Sequence, residues 1–143
     1  MQAAAKWVLL RAGLYAALAL IAATIGGFVY SAATGADVLA GSSRSLDNLG
    51  AWFHVGFGIA VLGGCLTLVL LGILAPFRYR QSSVQFKLTL LPFLLFPVFI
   101  VDLAGASPSF TLGLLAIQCL YLIIMPVRRF PAKPGPRASD AAG

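Results

Sequence analysis

The amino-acid sequence predicts an all-α integral membrane protein, a bundle of four transmembrane helices with both termini in the cytoplasm. Three observations predict it. Of 143 residues, 60% are hydrophobic and only 10% are charged, whereas a water-facing domain carries about 25% charged residues to keep its exterior solvated. Four apolar stretches are each long enough, at about 1.5 Å per helical residue, to approach the roughly 30 Å of a hydrocarbon core. Of the ten Lys and Arg residues, all but Arg44 fall on one side of those stretches. This composition sets aside a disordered chain, a disulfide-rich secreted scaffold and an ordinary soluble enzyme.

The first span covers residues 7–30 and carries one charge, Arg11, near its start. A signal peptide is the rival reading, since Lys6 resembles an n-region and Ser31, Ala32 and Ala33 are small enough for a peptidase. An h-region, however, runs only about 7 to 15 residues, so the segment is expected to stay as a helix. The second span, 51–75, has no formal charge apart from His54, and Pro76 ends it because proline cannot donate the next helical hydrogen bond. The third, 84–103, has Lys87 and Asp102 near its ends and Pro92 and Pro97 inside, which predicts a kinked helix whose Leu88 and Phe93 carbonyls are released. The fourth, 109–127, follows after only Gly105, Ala106, Ser107 and Pro108, so the last two spans form an antiparallel hairpin. Helices are required, because an open sheet in lipid leaves backbone groups unpaired and the apolar runs lack a barrel's alternation.

Lys6, Arg11, Arg78, Arg80, Lys87, Arg128, Arg129, Lys133 and Arg137 lie on the same side as the termini, while Asp37, Asp47 and Asp102 lie opposite. Positive residues stay inside, which places both termini in the cytoplasm and disfavours dual-topology pairing. The net charge of +6 is therefore a sidedness signal rather than a nucleic-acid footprint, and no nucleic-acid partner is expected. Arg78, Arg80, Lys87, Arg128 and Arg129 are assigned to lipid headgroups, with Phe77, Tyr79, Trp7, Tyr30, Trp52 and Phe130 as the aromatic belt.

Residues 31–50 read as an ordered external loop in which Ser45, Leu46, Asp47 and Asn48 supply a cap for the second helix. Residues 1–130 form the membrane domain. The Pro-rich stretch from 131 to 143 is expected to be a disordered cytoplasmic tail, its PxxP match more simply an extended terminus than a docking motif.

Small residues recur every fourth position: Ala19, Ala23 and Gly27 on the first span, Gly56, Ala60 and Gly64 on the second. Each series makes a flat stripe along which helices approach closely, so these six residues are assigned to helix packing, within the chain or between chains. The polar intramembrane candidates are His54, Asp102 and Gln118. His54 and Asp102 share a depth and suit a proton relay or polar-ligand site if they meet; otherwise both reach interfacial water. Gln118 lies deep in the fourth span, where an amide needs an interhelical partner or contacts a solute.

No catalytic residue, metal site or cofactor is expected. Cys65 and Cys119 lie mid-span without a CxxC pattern and read as buried inert thiols. One histidine cannot supply bis-His haem ligation, no metal-ligand spacing appears, and the glycine pairs sit inside spans rather than in phosphate loops. The sequence thus predicts a non-catalytic accessory or assembly subunit, in contact with the bilayer and with other membrane subunits or its own copies. The alternative is a small oligomeric transporter or channel protomer for a polar solute or ion. Arg-heavy, Ala- and Gly-rich composition suits a bacterial inner membrane.

Overall fold

A computed structural model describes residues 2–35, 45–76 and 82–126. It is all-helical, with α1 at Gln2–Thr34, α2 at Ser45–Leu74, α3 at Ser83–Leu103 and α4 at Pro108–Ile124. Three of the helices, over Ala4–Thr34, Asp47–Leu74 and Ser83–Leu103, are long and apolar enough to cross a membrane. The fourth has 17 residues, about 25 Å at the helical rise and hence about a turn short of a full hydrocarbon core.

Local chemistry sets each boundary. α1 stops where Gly35 adopts a positive φ of 67° and its amide returns to the Ser31 carbonyl at 2.9 Å, a left-handed end that suits glycine. Ser45 is the first residue of α2 and Asp47 stands in its first turn. The expected capping stretch therefore lies inside the helix, with the Asp47 carboxylate placed to offset the partial positive charge of the helix start. α3 opens on a capping box: the Gln85 amide donates to Ser82 Oγ at 3.3 Å and the Ser82 amide to Gln85 Oε1 at 3.0 Å, satisfying two orphan donors. Sequence reading overlooked this pair. The helix then runs unbroken through Pro92 and Pro97. Gly105, at φ 82°, turns the chain, and Ser107 caps α4 with Pro108 at its first position.

α4 ends at Ile124, short of the expected residue 127. Met125 is extended, with φ −56° and ψ 115°, because Pro126 excludes helical geometry from the residue before it.

α1 packs most extensively on α2, α3 pairs with α4, and α4 also meets α1. α1 and α2 are antiparallel, with Gly27 level with Trp52, Ala23 with Gly56 and Ala16 with Gly64. Tyr15, Ala19, Leu71, Phe86, Leu90 and Tyr121 are fully buried along the centre. The outside is as apolar as the inside: Leu62, Leu103 and Ile123 are each at least three-quarters exposed, at 75%, 87% and 75%. In water so much exposed apolar surface would drive association.

The described charges are segregated. Arg11 and Lys87 meet carbonyls at the end of α4, and Lys6 lies on the same first turns of α1. Asp47 begins α2 and Asp102 closes α3 at the opposite end.

Candidate functional site

The structure does not bring His54 and Asp102 together. Both are exposed, and they sit on α2 and α3, which share little surface. His54 Nδ1 lies 2.7 Å from the Gly50 carbonyl, so that ring nitrogen donates into its own helix. Asp102 Oδ1 is 3.5 Å from Thr111 Oγ1, which is also 3.3 Å from the Ser107 carbonyl. One hydroxyl proton cannot serve both acceptors at once, and the contact to Asp102 is longer than a good O–H···O bond. Each side chain is tied locally to the end of its own helix or hairpin.

Gln118 is different. It is 3% exposed, and its Nε2 donates to the Tyr15 hydroxyl at 2.8 Å, joining α4 to α1. Its Oε1 is buried and finds no donor among the described residues.

Tyr15, which sequence reading missed, is the hub of the interior. Its ring stands edge-on to Tyr121, with centroids 5.1 Å apart and planes at 84°. On its other side it fills the space over Gly63, where an added Cβ would overlap the ring and lie 2.7 Å from the hydroxyl oxygen. One side chain thereby touches α1, α2 and α4. The Tyr121 hydroxyl donates to the Arg11 carbonyl at 3.2 Å. The Arg11 guanidinium donates to the Pro126 carbonyl at 3.0 Å and lies 4.8 Å above the Trp7 ring, a cation–π arrangement. Trp7 in turn meets Phe86 of α3 edge-on at 6.0 Å. The sequence did carry a signal for this cluster: two tyrosines inside apolar spans, one of them a helical turn from Gln118, each with a hydroxyl that must find a partner when buried.

A double-mutant cycle measures the lock. Tyr15→Phe removes the acceptor of the Gln118 amide and should cost about 1–3 kcal/mol, the penalty of an orphaned buried donor. Gln118→Leu in that background should recover most of the loss, because both polar partners are then gone. Unfolding midpoints in detergent micelles supply the energies; simple additivity would show that the two groups do not interact.

The six packing candidates line one interface. A Cβ on Gly56 would stand 2.9 Å from Thr24 Oγ1, 3.1 Å from the Leu20 carbonyl and 3.4 Å from Ala23 Cβ. On Gly64 it would stand 3.3 Å from Ala16 Cβ. Ala19 and Ala60 are buried between the two helices. Gly27 accepts the flat indole of Trp52, which a Cβ would overlap, and Trp52 Nε1 is fixed by donating to Ser31 Oγ at 2.7 Å.

Among the headgroup candidates, Lys87 donates to the Ile123 carbonyl at 3.2 Å, which places a cation on the negative end of α4. An ammonium has three donors, so two remain for phosphate. Arg78, Arg80, Arg128 and Arg129 lie outside the described residues, as does the tail 131–143. Cys65 and Cys119 are free and exposed; they point away from the bundle rather than into it, because the interior faces are taken by small residues and by Tyr15 and Gln118. Among the described residues no group of His, Cys, Asp or Glu could hold a metal ion.

Compared with known proteins, the chain matches no family model, no curated protein and no solved structure.

Proposed function

We propose that this chain is a four-span integral membrane protein with both termini in the cytoplasm, and that it serves as a non-catalytic accessory or assembly subunit of a larger membrane complex. Charge segregation supports the orientation: the described cations gather at the end where α1 begins, the described carboxylates at the other, and basic residues stay on the cytoplasmic side. The fourth helix reaches the full thickness by local thinning of the bilayer or by tilt of its neighbours, adjustments that cost fractions of a kcal/mol per Å.

One observation carries the functional reading. The interior polar groups that tie α1 to α4 are joined to one another or to backbone carbonyls, Gln118 to Tyr15, Tyr121 to Arg11 and Arg11 to Pro126, while Thr24 Oγ1, Thr67 Oγ1 and Gln118 Oε1 find no partner among the described residues. In lipid such bonds hold helices in register. The outward faces of α2 and α3 carry bulky apolar residues, among them Phe57, Leu62, Phe96 and Phe99, a surface suited equally to lipid and to the apolar flank of a partner span.

Purification of the full chain in mild detergent, followed by identification of co-eluting proteins, tests this reading. Partner chains at a fixed stoichiometry are expected. A lone homo-oligomer would favour the transporter reading, for which Gln118 Oε1, without a donor among the described residues, is the specific support, since a buried acceptor at mid-depth suits a passing polar solute.

A further inference from the structure

α1 and α4 touch at two levels. Toward the basic end they are joined by Gln118 with Tyr15 and by Tyr121 with Arg11; at the acidic end Ser109 Oγ donates to the Tyr30 hydroxyl at 3.2 Å. Between these levels the helices part, and a cleft of about 440 Å³ opens against α2, within the size range of ligand sites. Small residues, Ala22 and Gly26 on α1 and Gly113 and Ala116 on α4, alternate in its walls with the bulky Phe110 and Leu114 of α4. Val55, Ile59, Ile117 and Leu120 make the rest apolar. From Ser109 to Leu120 the cleft follows α4 for about 16 Å at the helical rise.

Polarity is confined to one end. Tyr30, Ser107 and Ser109 line the cleft there. The Tyr30 hydroxyl accepts from Ser109 and keeps its own proton to donate. Ser107 Oγ accepts the Phe110 amide at 3.4 Å and likewise keeps a proton. The neighbouring Trp52 N–H is already used on Ser31, so the indole acts as a wall. The mouth therefore offers hydroxyl donors to a neutral acceptor, at the end of the spans where an interface would lie, and the cleft continues from it as a narrow apolar slot.

We propose that this cleft holds one fatty acyl chain of a glycerolipid from the leaflet at the acidic end, its ester carbonyl at Tyr30 and Ser107 and its methylenes along Gly26, Gly113 and Ile117. The distribution of polarity selects this occupant. The cleft is apolar along its length and carries hydroxyl groups only at one end, which matches an acyl chain that ends in an ester and not the wholly apolar flank of a partner span. The inference rests on the membrane reading but not on the subunit reading.

The full chain is reconstituted into vesicles of phosphatidylethanolamine and phosphatidylglycerol containing a trace of phosphatidylcholine with a diazirine on one acyl chain. After flotation and illumination, labelled positions are mapped by mass spectrometry. Labels are expected to concentrate on the cleft residues of α1 and α4. A Cβ at Gly26 or Gly113 meets nothing within 4 Å, so Gly26→Leu with Gly113→Leu fills the cleft without a backbone clash. In this variant cleft labelling should drop about tenfold, equivalent to about 1.4 kcal/mol of binding. Gly58→Leu, at a glycine equally free of neighbours but outside the cleft, should leave it unchanged. Labels spread evenly over Leu62, Phe96 and other outward residues of the floated parent would overturn the inference, as would a filled cleft that labels like the parent. Chain that fails to float with the vesicles would instead overturn the membrane reading.

Discussion

Replacing Tyr15 with alanine should destabilise the bundle by about 3–5 kcal/mol, the range for truncating a fully enclosed aromatic side chain. Three losses coincide. The ring leaves a void where α1, α2 and α4 meet, because it is only 1% exposed and packs on both Gly63 and Tyr121. The Gln118 amide loses its acceptor while its Oε1 already lacks a donor among the described residues, so the whole amide becomes an uncompensated buried polar group. The edge-on pairing with Tyr121 disappears as well, which adds about 0.5–1.5 kcal/mol of aromatic contact. Denaturant-induced unfolding of the solubilised chain, followed by circular dichroism, gives the difference. A loss below about 1 kcal/mol, within reach of an ordinary surface substitution, would mean that Tyr15 is not the point where the helices meet.

Gly63→Leu should have the next largest effect, and a larger one than Gly64→Leu. A Cβ at Gly63 would overlap the Tyr15 ring, and that ring cannot swing aside without breaking its bond to Gln118 or its edge-on contact with Tyr121. A Cβ at Gly64 would come no closer than 3.3 Å, to the Ala16 methyl, so the helices need yield only slightly for its first atom. Overfilling a closed site costs about 1–3 kcal/mol and sometimes more, and Gly63→Leu belongs at the top of that range. Gly72→Leu is the control, since an added Cβ there meets nothing within 4 Å. Unfolding midpoints of the three variants should fall in the order Gly72, Gly64, Gly63. Equal midpoints for Gly63 and Gly64 would place Tyr15 elsewhere.

The contrast between these neighbouring glycines shows how far the sequence could be read. Apolar length and proline positions are one-dimensional quantities, so the existence and order of the helices were legible, and the early end of α4 was encoded in Met125-Pro126. The four-residue spacing of Gly56, Ala60 and Gly64 likewise pointed to a face of α2, and Gly56 and Gly64 do abut α1. Rotation about the helix axis was not legible at the scale of one residue. Gly63 and Gly64 differ by about 100° around α2, given 3.6 residues per turn, and only the placement of Tyr15 decides which of them is a socket. Nor was the arrangement of helices around the bundle legible. The span positions of His54 and Asp102 suggested a shared depth, yet α2 packs on α1 while α3 packs on α4, so similar span position does not become contact. Gln118 was recognised as an amide in need of a partner, but its partner lay 103 positions away in sequence, a separation that no local pattern encodes.

The proposed function requires lipid around the apolar outside of this bundle, with α1 entering from the cytoplasm. Cysteine placed singly at Ala5 or at Ala104, in a chain lacking Cys65 and Cys119, tests this directly. Both positions are exposed and lie at opposite ends of the bundle. With a membrane-impermeant maleimide added to intact cells, Ala104→Cys should react at once and Ala5→Cys only after the cells are lysed. Reaction at Ala5 in intact cells, or recovery of the chain in the soluble fraction without detergent, would contradict the account.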